Sequence, residues 1–514
     1  MHSLDSQTEP PRRRGRVARL AQDAMPAPQA KVRRILPPYA PYPLADICAL
    51  EDQADWLLET IGIEVRGDPT ALALLADAGA QITEERVRFP SGLARDLCKT
   101  APAQFDLHAR NRDRTVTLGG DHIVLMPGYG SPFVTDLAQG RRYATLVDFQ
   151  NFVKLAYVSP HLHHSGGTVV EPTDVPVSKR HLDMLLAHLT LSDKPFMGSV
   201  TEELRARDSI AMVRLVFGAA FVDQHAVIQA NINVNSPMVY DATMTAALRV
   251  YAAAGQCVCI SPAIFGGAMG PVTPAAIAAQ THAEVMAGIA LTQLVRPGCP
   301  VVYGSFHNTM NLRSGALSFG APEANLVTFA LGQLARRLGV PFRSGGGQVT
   351  AANSADGQAM AESTAAMWAA VMSGSHQIWH AAGWLEGGLT MGYEKFAMDL
   401  DACGALLKMI GGMEVSAESL TRASYAQAGP GDNFLSTTHT MAHFAQANFA
   451  GDIAEAGPFE TWAEQGSRTL EERAQQRVQD MLATYEPPKM AGETKRALLS
   501  FVKDRKAQLA DEWY

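Results

Sequence analysis

Cysteine is scarce. Six thiols (Cys48, Cys98, Cys257, Cys259, Cys299 and Cys403) in 514 residues are too few for the disulfide framework of a small secreted scaffold, so a reducing compartment, the cytoplasm, is expected. Charge is scarce as well: 18% of residues carry it and it sums to −8. That balance supplies no basic face for phosphates and sets nucleic acid aside as a partner. Long apolar runs are missing, because even Gly288 to Tyr303 is broken by Arg296, Pro297 and Pro300, whereas a membrane span needs ~20 apolar residues. The basic stretch from Pro11 to Arg19 meets no apolar segment before Pro26 and Pro28, so no secretory signal is expected, and residues 1–40 read as a mobile arm. A nucleotide fingerprint is lacking too: the GGG run at Gly345 has neither the Lys-Ser/Thr of a P-loop nor GxGxxG spacing.

What is present is a large apolar fraction, 47%, arranged with a repeating rhythm. From residue 121 to 412, short β-branched or apolar runs alternate with longer stretches of helical period, the pattern of βα units on a parallel sheet. Eight candidate strands begin near His122, His161, Pro195, Ala226, Gln256, Pro300, Val340 and His376. Each is followed by a candidate helix, the eighth from Tyr393. The expected fold is α/β, a (β/α)8 TIM barrel, with a doubly wound open sheet as the alternative. Residues 41–120 predict a small α+β cap, with helices over 50–60 and 70–78 and strands around 104–108 and 115–118. Residues 413–514 predict a helical extension packed on the barrel.

In such a barrel the C-terminal ends of the strands face the active site. That rule gathers Asn233 and Asn235 (NINVNSP), Phe265, then Tyr303, Phe306 and His307 (YGSFH), Gln348 (GGGQ), and Trp384 and Glu386 (GWLEGG) around one mouth, with Tyr129 nearby. The aromatic residues could form a cage for a quaternary ammonium group, which has charge but no hydrogen to donate; Tyr303 and Trp384 are its expected walls. Packing of loops against the barrel is the alternative for any single ring. Glu284 lies amid apolar helical neighbours, where an unpaired carboxylate is costly, so it is either functional or satisfied by a partner. Arg313 offers a fork for a substrate carboxylate or a surface ion pair. His161, His163 and His164, with Cys257, Cys259 and Cys299, raise a zinc reading. They fall at strand starts or middles, so no metal site is expected.

The segments PGYGSPFVTD, VEPTDVPVSKRHLDML, LSDKPFMGS, INVNSP, HAEVMAGIALTQLVRPGCPVVYGSF, HAAGWLEGGLTMGYEKF and HTMAHF together resemble the trimethylamine methyltransferase family, from about Tyr39 to Leu509. The resemblance implies a (β/α)8 barrel that demethylates methylated amines and passes the methyl group to the cobalt of a separate corrinoid protein. It also implies a homo-oligomer, with the corrinoid carried by the partner and not held tightly by this chain. Members acting on trimethylamine carry pyrrolysine late in the barrel. The matching stretch here, RSGGGQVTAANSADGQA, has Gln348 at that position, so the chain is similar to the pyrrolysine-lacking members that act on glycine betaine and other quaternary amines. Gln348 is then expected to face the docked cobalt, with Asn233, Asn235 and Glu284 positioning the substrate. Relatives hold an Asp and a Lys shortly afterwards, where this chain has Ala351 and Asn353. A non-catalytic amine-binding or regulatory barrel and a zinc-dependent corrinoid methyltransferase are the alternatives.

Overall fold

The structure, a computed structural model, describes residues 31–513. Residues 1–30 of the expected arm lie outside the described residues, but the arm's last ten do not hang free. Arg33 bridges to His122, the Arg34 guanidinium donates to the carbonyls of Gly374 and Ser375, and the Ile35 amide donates to Ile410. The expected boundary at residue 40 is thus too late, since the chain is stitched to the strand starts from Arg33 onward.

The sheet is built around Cys257–Gly266, which pairs in parallel with Gln229–Val234 on one side and Val301–Tyr303 on the other. Both long strands are almost continuously buried, as parallel strands covered on two faces must be. Side chains alternate: Ala230, Ile232, Val258, Ile260, Val301 and Tyr303 join one apolar core, while Cys257, Cys259 and Val302 join another on the opposite face. Beyond this ladder the pairings thin to isolated parallel bridges, Tyr303 with Phe342 and Arg343 with Gln377. Gln377–Ile378 then pairs in parallel with Val124–Leu125. On the other flank Met197 bridges Gln229, and single amide bonds link His163 to Leu125, Ser165 to Pro195 and Met197 to Gly166. The expectation of eight regular strands is met by ladders in only half the sheet. Glycine- and histidine-rich stretches such as HLHHSGG and RSGGGQ form no ladder: the first has no strand residue and the second only the Arg343 bridge.

All eight expected helices form, from Leu146–Val158 to Tyr393–Ile410. Thr145 closes the first with a capping box, and Asp241 and Asp356 accept at two later N-termini, satisfying amides the helix cannot. The helix Pro274–Val295 is buried almost all round; apolar residues on every face require cover on every face. The cover comes from the N-terminal helices Leu44–Trp56 and Leu93–Cys98, which pack on it. Residues 41–120 contain strands not foreseen, Ile63–Val65, Gln81–Thr83 and Arg86–Arg88, the first pairing in parallel with Val239–Tyr240. The expected pair forms between Phe105–Leu107 and Val116–Leu118. In the C-terminal region Leu470–Ala483 lies on Tyr393–Ile410, and Gly492–Gln508 is tied down by Arg505 on Asp208 and Lys506 on Asp183.

Candidate active site

At one end of the strands lies a cavity of about 570 Å³. Strand parity decides who faces it. Asn231 and Asn233 share the inward face of Gln229–Val234, Ser261 and Ala263 continue that of Cys257–Gly266, and Arg343 and Trp379 occupy the inward positions beside the outward Phe342 and Ile378. Phe306, His380, Trp384 and Tyr129 complete the wall.

Arg343 is 2% exposed. Its Nη1 donates to Ser261 Oγ at 3.1 Å and to the Ser305 carbonyl, and its Nη2 lies 3.3 Å from His380 Nε2. The guanidinium stacks 4.2 Å from the centre of the Trp379 ring. Burial pushes its pKa down to about 10, so it stays charged at neutral pH. His380 is driven far below the ordinary imidazole range, first by burial and then by the Arg343 charge. It is therefore neutral, and its Nε2 accepts from Arg343. Its φ of +56° is left-handed, a conformation a non-glycine residue keeps only where its surroundings force it. The His380 ring is 4.1 Å from that of Trp384, and Phe306 is 5.9 Å from Trp384; Tyr129 and Trp379 are 5.6 Å apart. Five buried polar atoms on this wall have no partner: Arg343 Nε, His380 Nδ1, Asn231 Oδ1, Trp379 Nε1 and Trp384 Nε1. Buried polar groups are ordinarily bonded, so these five leave the wall with bonding capacity beside an open cavity, although buried atoms away from it, His163 Nε2 and His282 Nε2 among them, are unpartnered too.

Of the residues expected at the mouth, Tyr129, Asn233, Asn235, Phe306 and Trp384 line the cavity. The others are placed elsewhere. Tyr303 is fully buried on the outward face, its hydroxyl 3.1 Å from His282 Nδ1, because it shares the parity of Val301; it is not a cavity wall. Gln348 points away between strand and helix, its Nε2 donating to the carbonyls of Ala381 and Asp399 and to Cys403 Sγ. It therefore does not face the mouth. Glu284 sits behind the NINVNSP loop, accepting from Ser236 Oγ at 2.6 Å, the Met238 amide at 2.8 Å and Gln280 at 2.8 Å. Burial raises its pKa while these donors oppose the rise; it supports the loop through Ser236, which lines the cavity, and is not itself a lining residue. His307 turns outward to the Ala324 carbonyl and Thr328. Phe265 packs behind the wall against Phe306 and Phe319. Glu386 is held by Arg141 at 2.9 Å, and Arg313 lies exposed in the loop after Asn311. Sequence reading missed Asn231, Ser261, Arg343, Trp379 and His380; the available signal was the alternation in NIN, PFR and QIWH.

Among the described residues no group of three or more His, Cys, Asp or Glu is placed to hold a metal. Burial raises the Cys259 and Cys299 thiols to about 12. His163 Nδ1 accepts the Leu125 amide and His164 Nδ1 the Gly166 amide, so both imidazoles serve the backbone. No helix among the described residues is long and apolar enough to cross a membrane.

A parallel α/β body with one aromatic-walled cavity at its strand ends, lined by convergent unpaired polar atoms, is the arrangement of a small-molecule enzyme site. The chain belongs to the trimethylamine methyltransferase (MTTB) family, whose sequence profile matches residues 12–510. It is 38% identical to a glycine betaine methyltransferase of Desulfitobacterium hafniense, over 93% of this chain and 100% of that protein. It is 28% identical to an L-carnitine:corrinoid methyltransferase of Eubacterium limosum, over 86% and 92%, and 25% identical to a trimethylamine methyltransferase of Desulfitobacterium hafniense, over 87% and 90%. Among solved structures, the monomethylamine methyltransferase of Methanosarcina barkeri aligns with 85% of this chain and 92% of its own at a TM-score of 0.47 and 11% identity, too loose to bear on the site.

Proposed function

We propose that this protein transfers a methyl group from a quaternary amine to the cobalt of a corrinoid carried by a separate protein. The observation that carries the reading is the cavity's composition. Its wall holds four large aromatic rings, Tyr129, Phe306, Trp379 and Trp384, and none of its described lining residues is Asp or Glu. A cation without N–H groups is recognised by π faces and not by hydrogen-bond acceptors. The chemistry agrees with the charge states. A quaternary amine departs as a neutral tertiary amine, so no acid is needed, and the neutral His380 and cationic Arg343 supply none. The chain's work is then to orient the methyl group toward the mouth and exclude water, while the partner's reduced cobalt supplies the nucleophile. Asn231 and Asn233 are the neutral polar groups suited to fixing that orientation.

We further propose that the eight parallel neighbours close into a (β/α)8 barrel, bounded by the cap and the helical extension. The chain of bridges from Val124–Leu125 round to Gln377–Ile378 supports closure. So does the reciprocal amide pair of Gln229 and Gln377, at 3.0 and 2.7 Å, which joins two non-adjacent strands. A cytoplasmic homo-oligomer is part of the same proposal. The test is to mix the purified chain with a reduced corrinoid protein, offer glycine betaine, choline and trimethylamine, and follow methylated corrinoid in the visible spectrum. Methylation with a quaternary donor and none with trimethylamine is expected. Failure with every donor across several corrinoid partners would leave a binding protein.

A further inference from the structure

Arg343 is the one ionised side chain among the described residues lining the cavity, and nothing there neutralises it. Its bonded partners are a serine hydroxyl, a carbonyl and a neutral imidazole. These fix its plane without cancelling its charge. The ionisable groups that face it are Cys259 and Tyr129, and burial raises both, so neither is an anion. A guanidinium has five N–H groups. The three recorded contacts leave Nε–H and one Nη2–H, and Nε is buried without a partner. Nε and Nη2 form one edge of the guanidinium, the kind of edge a carboxylate grips with both oxygens. Trp379, stacked on the guanidinium face, and His380, on Nη2, hold that plane in place.

We infer that Arg343 is the receptor for a carboxylate carried by the substrate, so that the cavity selects zwitterionic quaternary amines and rejects those without an acid group. The inference rests on the quaternary-amine reading and narrows it. A bare quaternary cation entering the aromatic wall meets a fixed like charge that is itself 2% exposed. A betaine brings its own counter-ion, which pairs Arg343 and cancels the repulsion in one step. The exposed Arg313 has no part in this.

The test is calorimetric titration of the full chain with glycine betaine and with choline, in the absence of any corrinoid protein. The wild type is expected to bind betaine at least about 30-fold more tightly, the low end of what an unpaired buried charge costs a complex. Arg343→Gln should weaken betaine by a similar factor while choline binding holds or improves, because the repelling charge is gone; a merely structural arginine would lower both together. Arg343→Lys keeps the charge without the fork and should fall between. Thermal melts check that each variant folds, and the wild-type comparison stands without them. Equal wild-type affinities, or parallel loss of both ligands in a folded Arg343→Gln, overturn the assignment. Methyl transfer from choline as efficient as from betaine overturns it while leaving the proposed reaction standing. Betaine-selective binding with no transfer to any corrinoid protein supports the assignment and overturns the reaction. Binding of neither ligand overturns both.

Discussion

Glu284 and Arg343 are both buried charged side chains beside the same strand ends, and they are treated in opposite ways. The two Glu284 oxygens accept three hydrogen bonds from the protein, whereas Arg343 keeps an unpaired Nε and no counter-ion. The contrast extends to their neighbours. Behind the wall, Gln348, Lys395 and Asp399 make their bonds within the chain; on the wall, Trp379, Trp384 and His380 leave ring N–H groups or nitrogens unused. A folded chain tolerates a buried polar group when it completes that group's bonds itself. The incomplete groups on the wall are the ones a ligand can reach; His282 Nε2 and His307 Nδ1, on the outward face, are also unpartnered. The back shell should therefore govern stability, and the front wall binding.

Acid is the largest lever on that contrast. Burial holds His163, His282 and His376 at about 3 and His188 and His307 at about 4. These folded values lie below the unfolded value of roughly 6.5, so the stability they contribute is complete above that pH and is lost as pH falls through the window toward 4. At pH 5 each forfeits about 2 kcal/mol, on the order of 10 kcal/mol for the five. The melting temperature should drop by at least ~10 °C between pH 7.5 and 5, with no further change from pH 7.5 to 8.5. Betaine affinity of the still-folded protein should stay flat from pH 6 to 8.5, because His380 remains neutral and Arg343 charged. Binding that tracked the melting curve would erase the distinction between the two shells.

Asp399 tests the back shell alone. Its carboxylate pairs with Lys395, both fully buried, and accepts the Gly383 amide at 2.8 Å. Asp399→Ala strands the Lys395 ammonium and should cost about 3–5 kcal/mol, read by denaturant unfolding, with betaine affinity within threefold. Replacing both partners by Met and Leu should recover most of the loss. A cost below about 1 kcal/mol for the single change would mean that this pair does not hold the wall from behind.

Much of this was legible in the sequence, in proportion to how local the physics is. The helices were readable because capping and period-3.6 spacing are local: Thr145 and Asp356 announce their helices. The half of the sheet with ladders was readable because parallel strands are continuously apolar. The stretches HLHHSGG and RSGGGQ gave an order but no strand length, since their pairing depends on neighbours far along the chain. At the site, residue type was a poor guide and parity a good one. Tyr303 suits a cavity wall by residue type, yet it shares the phase of Val301, which faces the helix layer. The same count in PFR puts Arg343 inside. Gln348 stands at a strand end both by the barrel rule and by resemblance, and neither carries the direction of a side chain. Partnership was not legible at all, because Glu284 is completed by Ser236, Met238 and Gln280 only after the NINVNSP loop folds back over its helix.

On the front wall, Trp384→Leu removes a ring face and leaves the scaffold bonds intact. Its loss should weaken betaine by about 5- to 30-fold, the 1–2 kcal/mol of a desolvated cation–π contact, and raise KM for methyl transfer accordingly. Unfolding free energy should move less than it does in Asp399→Ala. An unchanged Kd would remove Trp384 from the wall and leave Trp379 and Phe306 to hold the cation.

Tyr303→Phe is the smallest expected effect and the sharpest division between the two shells, because the aromatic ring survives and only the hydroxyl goes. That hydroxyl bonds His282 on the outward face, so the change should cost about 1 kcal/mol of stability and leave betaine Kd and transfer rate within twofold. Arg313→Ala, in its exposed loop, should change neither. If Tyr303→Phe instead weakened betaine while leaving the melt untouched, the strand Val301–Tyr303 would have to be turned by one residue in the folded enzyme. Such a slip carries every side chain to the other face, which would drag Val302 out of the interior and Val301 into it. Cys259, between Asn231 and Val302 in the parallel register, would then lose its apolar neighbour. A binding assay on one hydroxyl therefore tests the register of the strand that separates the cavity from the helix layer.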